Sequence, residues 1–420
     1  MKGASIMFLF KLALKNLKRR KKRTFIMALI LATAVISFLL LDSLMIGMMD
    51  LSFGNVIDFE TPHLEIAQKE FFAEIDDDEE PPLEQAFIPE QSKLAELREI
   101  EGFRALTSVI DFSATFIAGR YDFPVLVRAI DEESFKAVFK HHEHLEKGEF
   151  ISAGDSGVVI GKDLAEFFNL DIGDYYTLRF RDKDNYYSTL EGEIKGIIST
   201  PHPEVNQRTV LAARDQAVGR LAVAENSITQ LMLRLENRDQ ALNKADLLAA
   251  DFAETDFEVR SYRDASEMLV AIEAWGYLET YFILALILLV GAIGIVNAVV
   301  LSALERVEEI GMMKAMGLKE KEIVKVFVIE AGGIGVVGAL LGSFLGGILN
   351  FFFVKYGFSL EGLWNPEALG LPLSGRLYGS WSLSSFSFIF IFVIIITVIA
   401  SIIPAYWAAR KDPADAIHHK

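Results

Sequence analysis

The sequence has no cysteine among its 420 residues, so disulfide bonds, thiolate metal sites and thiol redox chemistry are excluded. It also has no Gly-x-Ser-x-Gly motif, which would indicate a nucleophilic serine. Residues 157–162 resemble a phosphate loop, but only three residues separate the two glycines, and Asp163 follows the lysine. We interpret this segment as a strand and a helix that Asp163 caps. The sequence therefore predicts no catalytic residue, and no metal or cofactor bound by this chain.

Charged side chains are scarce in four stretches, although 24% of all residues are charged. The four stretches are residues 24–49, 280–304, 326–354 and 386–409. At about 1.5 Å per residue, a helix of each length can cross a hydrocarbon core of about 30 Å. We therefore predict four transmembrane helices. The first is an uncleaved signal anchor, because its apolar part is longer than that of a signal peptide.

The sign of the charge changes across the first stretch. Residues 1–23 carry nine basic and no acidic side chains, whereas residues 51–274 carry 22 basic and 45 acidic ones. Basic segments stay on the cytoplasmic side of a membrane. We therefore predict cytoplasmic N- and C-termini, with residues 50–279 outside. The net charge of −17 disfavours nucleic acid as a partner.

The long segment between the first two stretches mixes two periodicities. Runs rich in β-branched and aromatic residues, such as 175–180 and 193–198, alternate with helical runs such as 240–252. We predict a mixed α/β domain with two subdomains. Five consecutive acidic residues at 76–80 predict an exposed loop. The histidines at 141, 142 and 144 could bind zinc, but without a third ligand a solvated polar turn is the better interpretation.

Two features inside the apolar stretches suggest a function. Gly338, Gly342 and Gly346 recur at every fourth position, which predicts a ridge against which another helix packs closely. Asp42 is the only acidic residue in the first stretch, and an ionisable residue in a membrane is a candidate for function. Two interpretations of Asp42 stay open: it takes part in cargo binding or gating, or it is simply exposed to water at the membrane edge.

The segment after the second stretch interleaves methionine with charge. From Ser302 it reads SALERVEEIGMMKAMGLKEKEIVKVFVIEA, a pattern typical of a docking surface, and Gly317 predicts the end of a helix. Glu305-Arg306, Glu309-Ile310-Gly311 and Ala315-x-Gly317 resemble the E-R-x-x-E-I-G-x-x-x-A-x-G signature of the permease family that includes FtsX, MacB, LolC and LolE. Residues 404–405, 408–409 and 412–417 resemble the C-terminal signature of that family.

The resemblance implies the membrane subunit of an ABC transporter in the bacterial inner membrane, closest to the lipoprotein-releasing permeases LolC and LolE. Such permeases work by mechanotransmission: a cytoplasmic ATPase moves the outward domain. The implied partners are the lipid bilayer, a LolD-like ABC ATPase dimer that binds ATP and Mg, a second identical or paralogous permease subunit, a lipoprotein cargo and a periplasmic carrier. The implied ATPase-coupling residues are Glu305, Arg306, Glu309, Ile310, Gly311, Met313, Lys314, Ala315 and Gly317. The implied cargo cavity lies between the first and second spans, with residues chosen by position: Leu40, Asp42, Leu44, Ile283 and Leu286.

The predicted fold class is an α-helical membrane protein with four transmembrane helices and a large mixed α/β extracytoplasmic domain similar to the MacB periplasmic core. The predicted parts, in chain order, are a basic cytoplasmic segment (1–23), span one (24–49), the α/β domain (50–279), span two (280–304), a cytoplasmic coupling helix and loop (305–325), span three (326–354), an outward loop (355–385), span four (386–409) and a cytoplasmic tail (410–420). Two alternatives stay open: a MacB-like exporter of peptides or small molecules from the periplasm, and a signalling membrane protein that controls a partner hydrolase.

Overall fold

The structure, a computed structural model, describes residues 6–19, 21–76, 81–305, 307–359 and 376–410. Its helices are α1 (Ile6–Arg19), α2 (Lys21–Phe59), α3 (Lys69–Asp76), α4 (Gln91–Arg98), α5 (Glu132–Val138), α6 (Lys162–Phe168), α7 (Pro203–Arg208), α8 (Arg214–Val218), α9 (Ala241–Asp251), α10 (Glu267–Glu305), α11 (Val307–Ala315), α12 (Glu320–Tyr356) and α13 (Leu383–Arg410). Its strands are β1 (Leu64–Gln68), β2 (Phe103–Ala118), β3 (Tyr121–Ile130), β4 (Leu145–Gly148), β5 (Val158–Gly161), β6 (Tyr175–Arg181), β7 (Tyr187–Ile198), β8 (Thr209–Ala213), β9 (Gln230–Leu235), β10 (Phe257–Ser261), β11 (Phe358–Ser359) and β12 (Arg376–Leu377).

The chain divides into two compact units. The helical unit comprises the residues up to Met49, Ala274–Ser359 and the residues from Arg376 onward. The α/β unit comprises Asp50–Glu273. The division falls inside two helices, because α2 and α10 each contribute residues to both units.

Four helices in the described part of the chain are long and apolar enough to cross a membrane, as the sequence predicts. They are Thr24–Phe59 within α2, Leu269–Gly294 within α10, Glu320–Tyr356, and Leu383–Arg410. Their ends differ from the predicted boundaries. In particular, α2 continues from Met49 to Phe59, because residues 50–59 contain no proline that would break the helix.

The glycines of α12 lie against α2 inside the helical unit. A Cβ atom on Gly342 would lie 2.6 Å from Val35 Cβ, and one on Gly338 would lie 2.7 Å from Leu31 Cβ. Gly346 continues the same ridge and is buried as well. Side-chain carbon atoms cannot approach so closely, so a glycine at these positions is what lets the two helices pack together.

The α/β unit is built on one ten-stranded sheet. Nine of its strands follow the order β10-β1-β9-β2-β3-β8-β5-β7-β4, and β6 pairs with both β2 and β7. The β3–β8 and β5–β7 pairs are parallel, and the other pairs are antiparallel. The strand-like runs 175–180 and 193–198 lie in β6 and β7 of this sheet. The mixed α/β prediction for this part of the chain is therefore confirmed, whereas its two subdomains stay a prediction.

The double pairing of β6 closes part of the sheet. The strands β2, β3, β8, β5, β7 and β6 form a barrel-like ring, filled by apolar side chains such as Phe112, Phe116 and Leu178, each at most 1% exposed. Strands β1, β9 and β10 extend the sheet beyond the ring, where α9 and the end of α2 cover a second apolar cluster.

Candidate functional site

The predicted coupling segment forms α11, which spans Val307–Ala315. Gly317 ends it with a φ angle of 92°, a conformation that glycine adopts without strain. The Gly317 N–H donates to the Lys314 carbonyl at 2.9 Å, and the Leu318 N–H donates to the Met313 carbonyl at 3.0 Å. These two bonds make a Schellman motif, so the helix end predicted at Gly317 is confirmed.

One face of α11 packs within the helical unit. Ile310 is only 3% exposed, Gly311 is also buried, and Met313 is half-buried against the same apolar cluster. Ile310 and Gly311, which the family resemblance assigns to ATPase coupling, therefore face the interior of this chain. They hold α11 in place, and a direct contact with another subunit would have to come from other residues.

The opposite face of α11 is exposed and apolar. Met312 is 59% exposed and Met316 is 71% exposed, and Ala315 and Gly317 are exposed as well. Met312 and Met316 were absent from the predicted coupling residues. Their i, i+4 spacing is the sequence signal that places both on one helix face.

The charged residues of the segment connect α11 to α1. Glu309 pairs with Arg19, with 3.2 Å between Oε1 and Nη1. Because the Arg19 side chain is 73% exposed, such a pair contributes roughly 0–1 kcal/mol and orients the helices more than it stabilises them. Lys314 is half-buried. Glu305 is the last residue of α10, and Arg306 lies outside the described residues.

The predicted cargo residues differ in exposure, and their role stays a prediction. Ile283 of α10 packs against the apolar cluster of the helical unit, whereas Leu286 is 46% exposed. Asp42 of α2 is half-buried and interacts with Ser385 of α13. The remaining predicted cargo residues, Leu40 and Leu44, are half-buried.

A buried polar cluster, not predicted from the sequence, lies next to Asp42 along α2. Ser43 Oγ accepts a hydrogen bond from the Ser380 N–H at 2.9 Å and donates to the Ser380 carbonyl at 3.0 Å. Asn350 Nδ2 of α12 donates to the same carbonyl at 3.2 Å. Ser43 and Asn350 are at most 2% exposed, so this cluster fixes the segment before α13 against α2 and α12. An asparagine inside an apolar helix was the available signal.

Ion pairs fix the last turns of α2 within the α/β unit. Asp58 pairs with Arg234 of β9 at 2.5 Å and with Lys140 at 2.7 Å. About two turns earlier in the helix, Asp50 pairs with Arg238 at 2.8 Å. The C-terminal part of α2 is therefore attached to β9 and to neighbouring segments of the α/β unit by charged contacts, in addition to its buried residues.

A buried charged cluster lies where the chain leaves α2. Arg128 of β3 donates hydrogen bonds to both carboxylate oxygens of Asp111 of β2, at 2.9 Å from Nε to Oδ1 and at 2.8 Å from Nη2 to Oδ2. Its Nη1 donates to the Glu60 carbonyl at 3.0 Å. Nearby Glu65 of β1 is 4% exposed. Burial raises the pKa of the Glu65 carboxyl to about 8, although the Arg128 guanidinium acts in the opposite direction.

The predicted histidine cluster forms a short 3-10 helix, His141–His144. The prediction of a solvated turn is wrong for His141, which is fully buried. Its ring lies 5.5 Å from that of Phe59 and 5.2 Å from that of Phe135, between centroids. Burial lowers the pKa of His141 well below its usual value. Within the described ranges, no group of three His, Asp or Glu side chains could hold a metal ion.

The segment at residues 157–162 is a strand followed by a helix, as predicted, because it comprises β5 and the start of α6. The prediction that Asp163 caps this helix is wrong. The residue before the helix is Gly161, which has no capping side chain, and Asp163 lies inside the first turn. Its carboxylate there still faces the positive end of the helix dipole. The acidic residues 77–80 and the C-terminal residues 412–417 lie outside the described residues.

Comparison with known proteins relates the C-terminal part of the helical unit to a permease family. Residues 281–413 match the family of FtsX-like permease C-terminal domains. The pyoverdine export ATP-binding/permease protein PvdT of Pseudomonas fluorescens is 32% identical over 218 residues, which are 50% of this chain and 27% of PvdT. The lipoprotein-releasing system transmembrane protein LolC of Xylella fastidiosa is 21% identical over 329 residues, 73% of this chain and 76% of LolC. The periplasmic region of MacB from Actinobacillus actinomycetemcomitans has a TM-score of 0.33 and 14% identity, over 50% of this chain and 92% of that structure.

The part of the chain that is similar to FtsX-like permease C-terminal domains comprises most of α10 together with α11, α12 and α13. The resemblance of this chain to the FtsX, MacB and LolC permeases is confirmed. The chain spans about a quarter of the length of the PvdT relatives that it matches.

Proposed function

We propose that this chain is the permease subunit of an ABC transporter that works by mechanotransmission. A separate ATPase dimer binds below α11 and hydrolyses ATP with Mg, and the chain itself has no catalytic role. The four long apolar helices span the inner membrane of a bacterium, with both termini in the cytoplasm and the α/β unit outside. A second permease subunit, identical or paralogous, completes the transporter.

The observation that carries this proposal is the position of α11. It lies between two helices that are long and apolar enough to span a membrane, inside the range that matches FtsX-like permeases. Its inner face is packed, and its outer face presents Met312 and Met316. Exposed methionines on a helix that is held rigidly from behind suit a docking surface, because methionine adapts its shape to a partner.

The attachment of α2 supports the transmission step. A single helix runs from Lys21 to Phe59, and Asp50 and Asp58 hold its last turns to Arg238 and Arg234 of the α/β unit. A movement of this helix would therefore carry the strands to which it is bonded. A flexible linker at the same position would lose that movement.

For the cargo, we favour an acylated lipoprotein that is passed to a periplasmic carrier. The LolC protein aligns over 76% of its own length and 73% of this chain, so the alignment extends beyond residues 281–413. Extraction of an acyl chain from lipid costs about 0.8 kcal/mol per CH₂, so this transfer needs an energy source. Export of a small molecule is the second candidate, because the relatives with higher identity over this chain are named pyoverdine export proteins.

The first test changes the two exposed methionines on the outer face of α11. Met312→Asp together with Met316→Asp should abolish copurification of the ATPase and cargo-stimulated hydrolysis, because two carboxylates would have to be buried in the interface. The matched control is Leu247→Asp, which charges a side chain of similar exposure, 63%, in the α/β unit. Normal copurification and normal stimulated hydrolysis in the double variant would contradict docking at α11. Hydrolysis by the purified chain alone would contradict the non-catalytic role.

A further inference from the structure

The amphipathic helix α1 presents three different faces, and one of them is packed. Leu9 and Ala13 are buried against Val326 of α12. Asn16 Nδ2 donates a hydrogen bond to Glu330 Oε2 of the same helix at 3.5 Å. This face therefore belongs to the interior of the helical unit.

The other two faces of α1 are exposed. Met7, Phe10 and Leu14 lie on one side of the helix, since they recur at i, i+3 and i+7, and they are 66%, 51% and 42% exposed. We call them the apolar stripe. The adjacent side carries an exposed lysine row, made of Lys11, Lys15 and Lys18. At 3.6 residues per turn, the lysine row runs along the edge of the apolar stripe.

Exposure of a stripe of large apolar side chains to water is unfavourable, so such a stripe indicates contact with an apolar partner. A row of cations beside it needs an anionic one. Both requirements are met at the surface of a bilayer, where an amphipathic helix buries its apolar side among acyl chains and places its lysines among headgroups. The position in the chain agrees, because only Arg20 separates α1 from α2, whose apolar stretch begins at Thr24.

We infer that α1 lies in the surface of the cytoplasmic leaflet and binds anionic lipid headgroups through the lysine row, with the apolar stripe inserted beneath them. This inference rests on the proposed function, because it requires that α2 spans a membrane. It has a consequence for α11. Since Arg19 at the end of α1 pairs with Glu309, lipid charge acts on a helix that is bonded to the proposed ATPase-docking segment.

The absence of cysteine makes a direct test possible. A spin label on Phe10→Cys reports contact with lipid when oxygen reaches it and a water-soluble nickel chelate does not. In bilayers that contain phosphatidylglycerol, we expect this lipid-like signature, and in phosphatidylcholine alone we expect nickel access to increase. The variant Lys11→Gln/Lys15→Gln/Lys18→Gln should remove the difference between the two bilayers, since each lysine changes the ratio of bound to free helix roughly fivefold. High salt should reduce it in the same way.

The control variant Lys93→Gln/Lys147→Gln/Lys183→Gln removes the same charge from the α/β unit and should keep the wild-type difference. Nickel access that is equal in both bilayers would overturn the inference, and so would a label that neither reagent reaches, because a protein surface would then cover the stripe. Labelling of Ser92→Cys and Lys319→Cys with an impermeant reagent tests the proposed topology separately from the inference about α1. Labelling from opposite sides preserves the proposed topology even if α1 fails the test, whereas labelling from one side contradicts both.

Discussion

The helical unit and the α/β unit differ in how their cores are built from large apolar side chains. The helical unit exposes Phe344 at 69%, Ile403 at 80% and Leu383 at 84%, and it packs its helices together through glycine. The α/β unit encloses Phe112, Phe116 and Phe180 in a ring of strands and also buries Arg128 with Asp111. A core assembled in water is driven by apolar burial, whereas helices in lipid gain no such drive and depend on close packing. The difference indicates that the two units are stabilised in different solvents.

The largest expected effect comes from the buried ion pair of the α/β unit. Arg128→Met should destabilise this unit by about 3–5 kcal/mol, because Asp111 would keep a buried charge without its partner. Hydrogen exchange of the β2 and β3 amides in the full chain measures this loss, and Arg181→Met at the surface serves as the control. The double variant Arg128→Met/Asp111→Leu should recover much of the stability. A single variant as stable as the double one would contradict the assignment.

The second effect is a pH dependence that the α/β unit gains from Glu65. The pKa of about 8 in the folded chain lies above the ordinary glutamate pKa of 4.5, so the unfolded chain loses this proton first as the pH rises. The stability associated with the protonated carboxyl is complete below pH 4.5 and is lost by about pH 8, by up to about 4 kcal/mol. Glu65→Gln should remove this part of the pH dependence, measured by unfolding across that range. Exposed Glu191→Gln should retain it, and equal slopes in Glu65→Gln and wild type would refute the role of Glu65.

The smallest expected effect concerns the glycine ridge and needs a matched pair of variants. Gly342→Ala brings a methyl group to 2.6 Å from Val35 Cβ, whereas in Gly347→Ala the nearest atom, of Phe386, is 3.6 Å away. Overpacking of this kind costs about 1–3 kcal/mol, so only the first variant should lower the thermal stability of the purified chain in detergent micelles. Equal melting temperatures for the two variants would show that α2 does not approach α12 this closely.

The sequence predicts the elements that local patterns define. The four apolar helices follow from the scarcity of charge, the strands from β-branched runs, and the end of α11 from Gly317. It does not predict contacts between distant residues. The ring of strands depends on β6 pairing with β2, for example Thr115 with Arg179, and no local pattern specifies that partner.

The candidate site divides in the same way. The family signature identifies the residues around α11, but only the tertiary packing shows that Ile310 is turned inward while Met316 is exposed. The sequence predicts only a basic segment at residues 1–23. The spacing of Leu9, Ala13 and Asn16 is helical, but the many basic residues obscure this signal. The burial of His141 depends on Phe59 and Phe135. Phe59 is far from it in sequence, and Phe135 lies on another element, α5.

The pairing of β1 with β10 brings the first and the last strand of the α/β unit together. Leu64, at the start of β1, lies opposite Ser261, at the end of β10, and paired strands are about 4.8 Å apart. The chain therefore departs from this unit almost where it arrived. An insertion in a loop between these two residues would leave the two connections side by side, provided that Arg234 and Arg238, which pair with α2, stay in place.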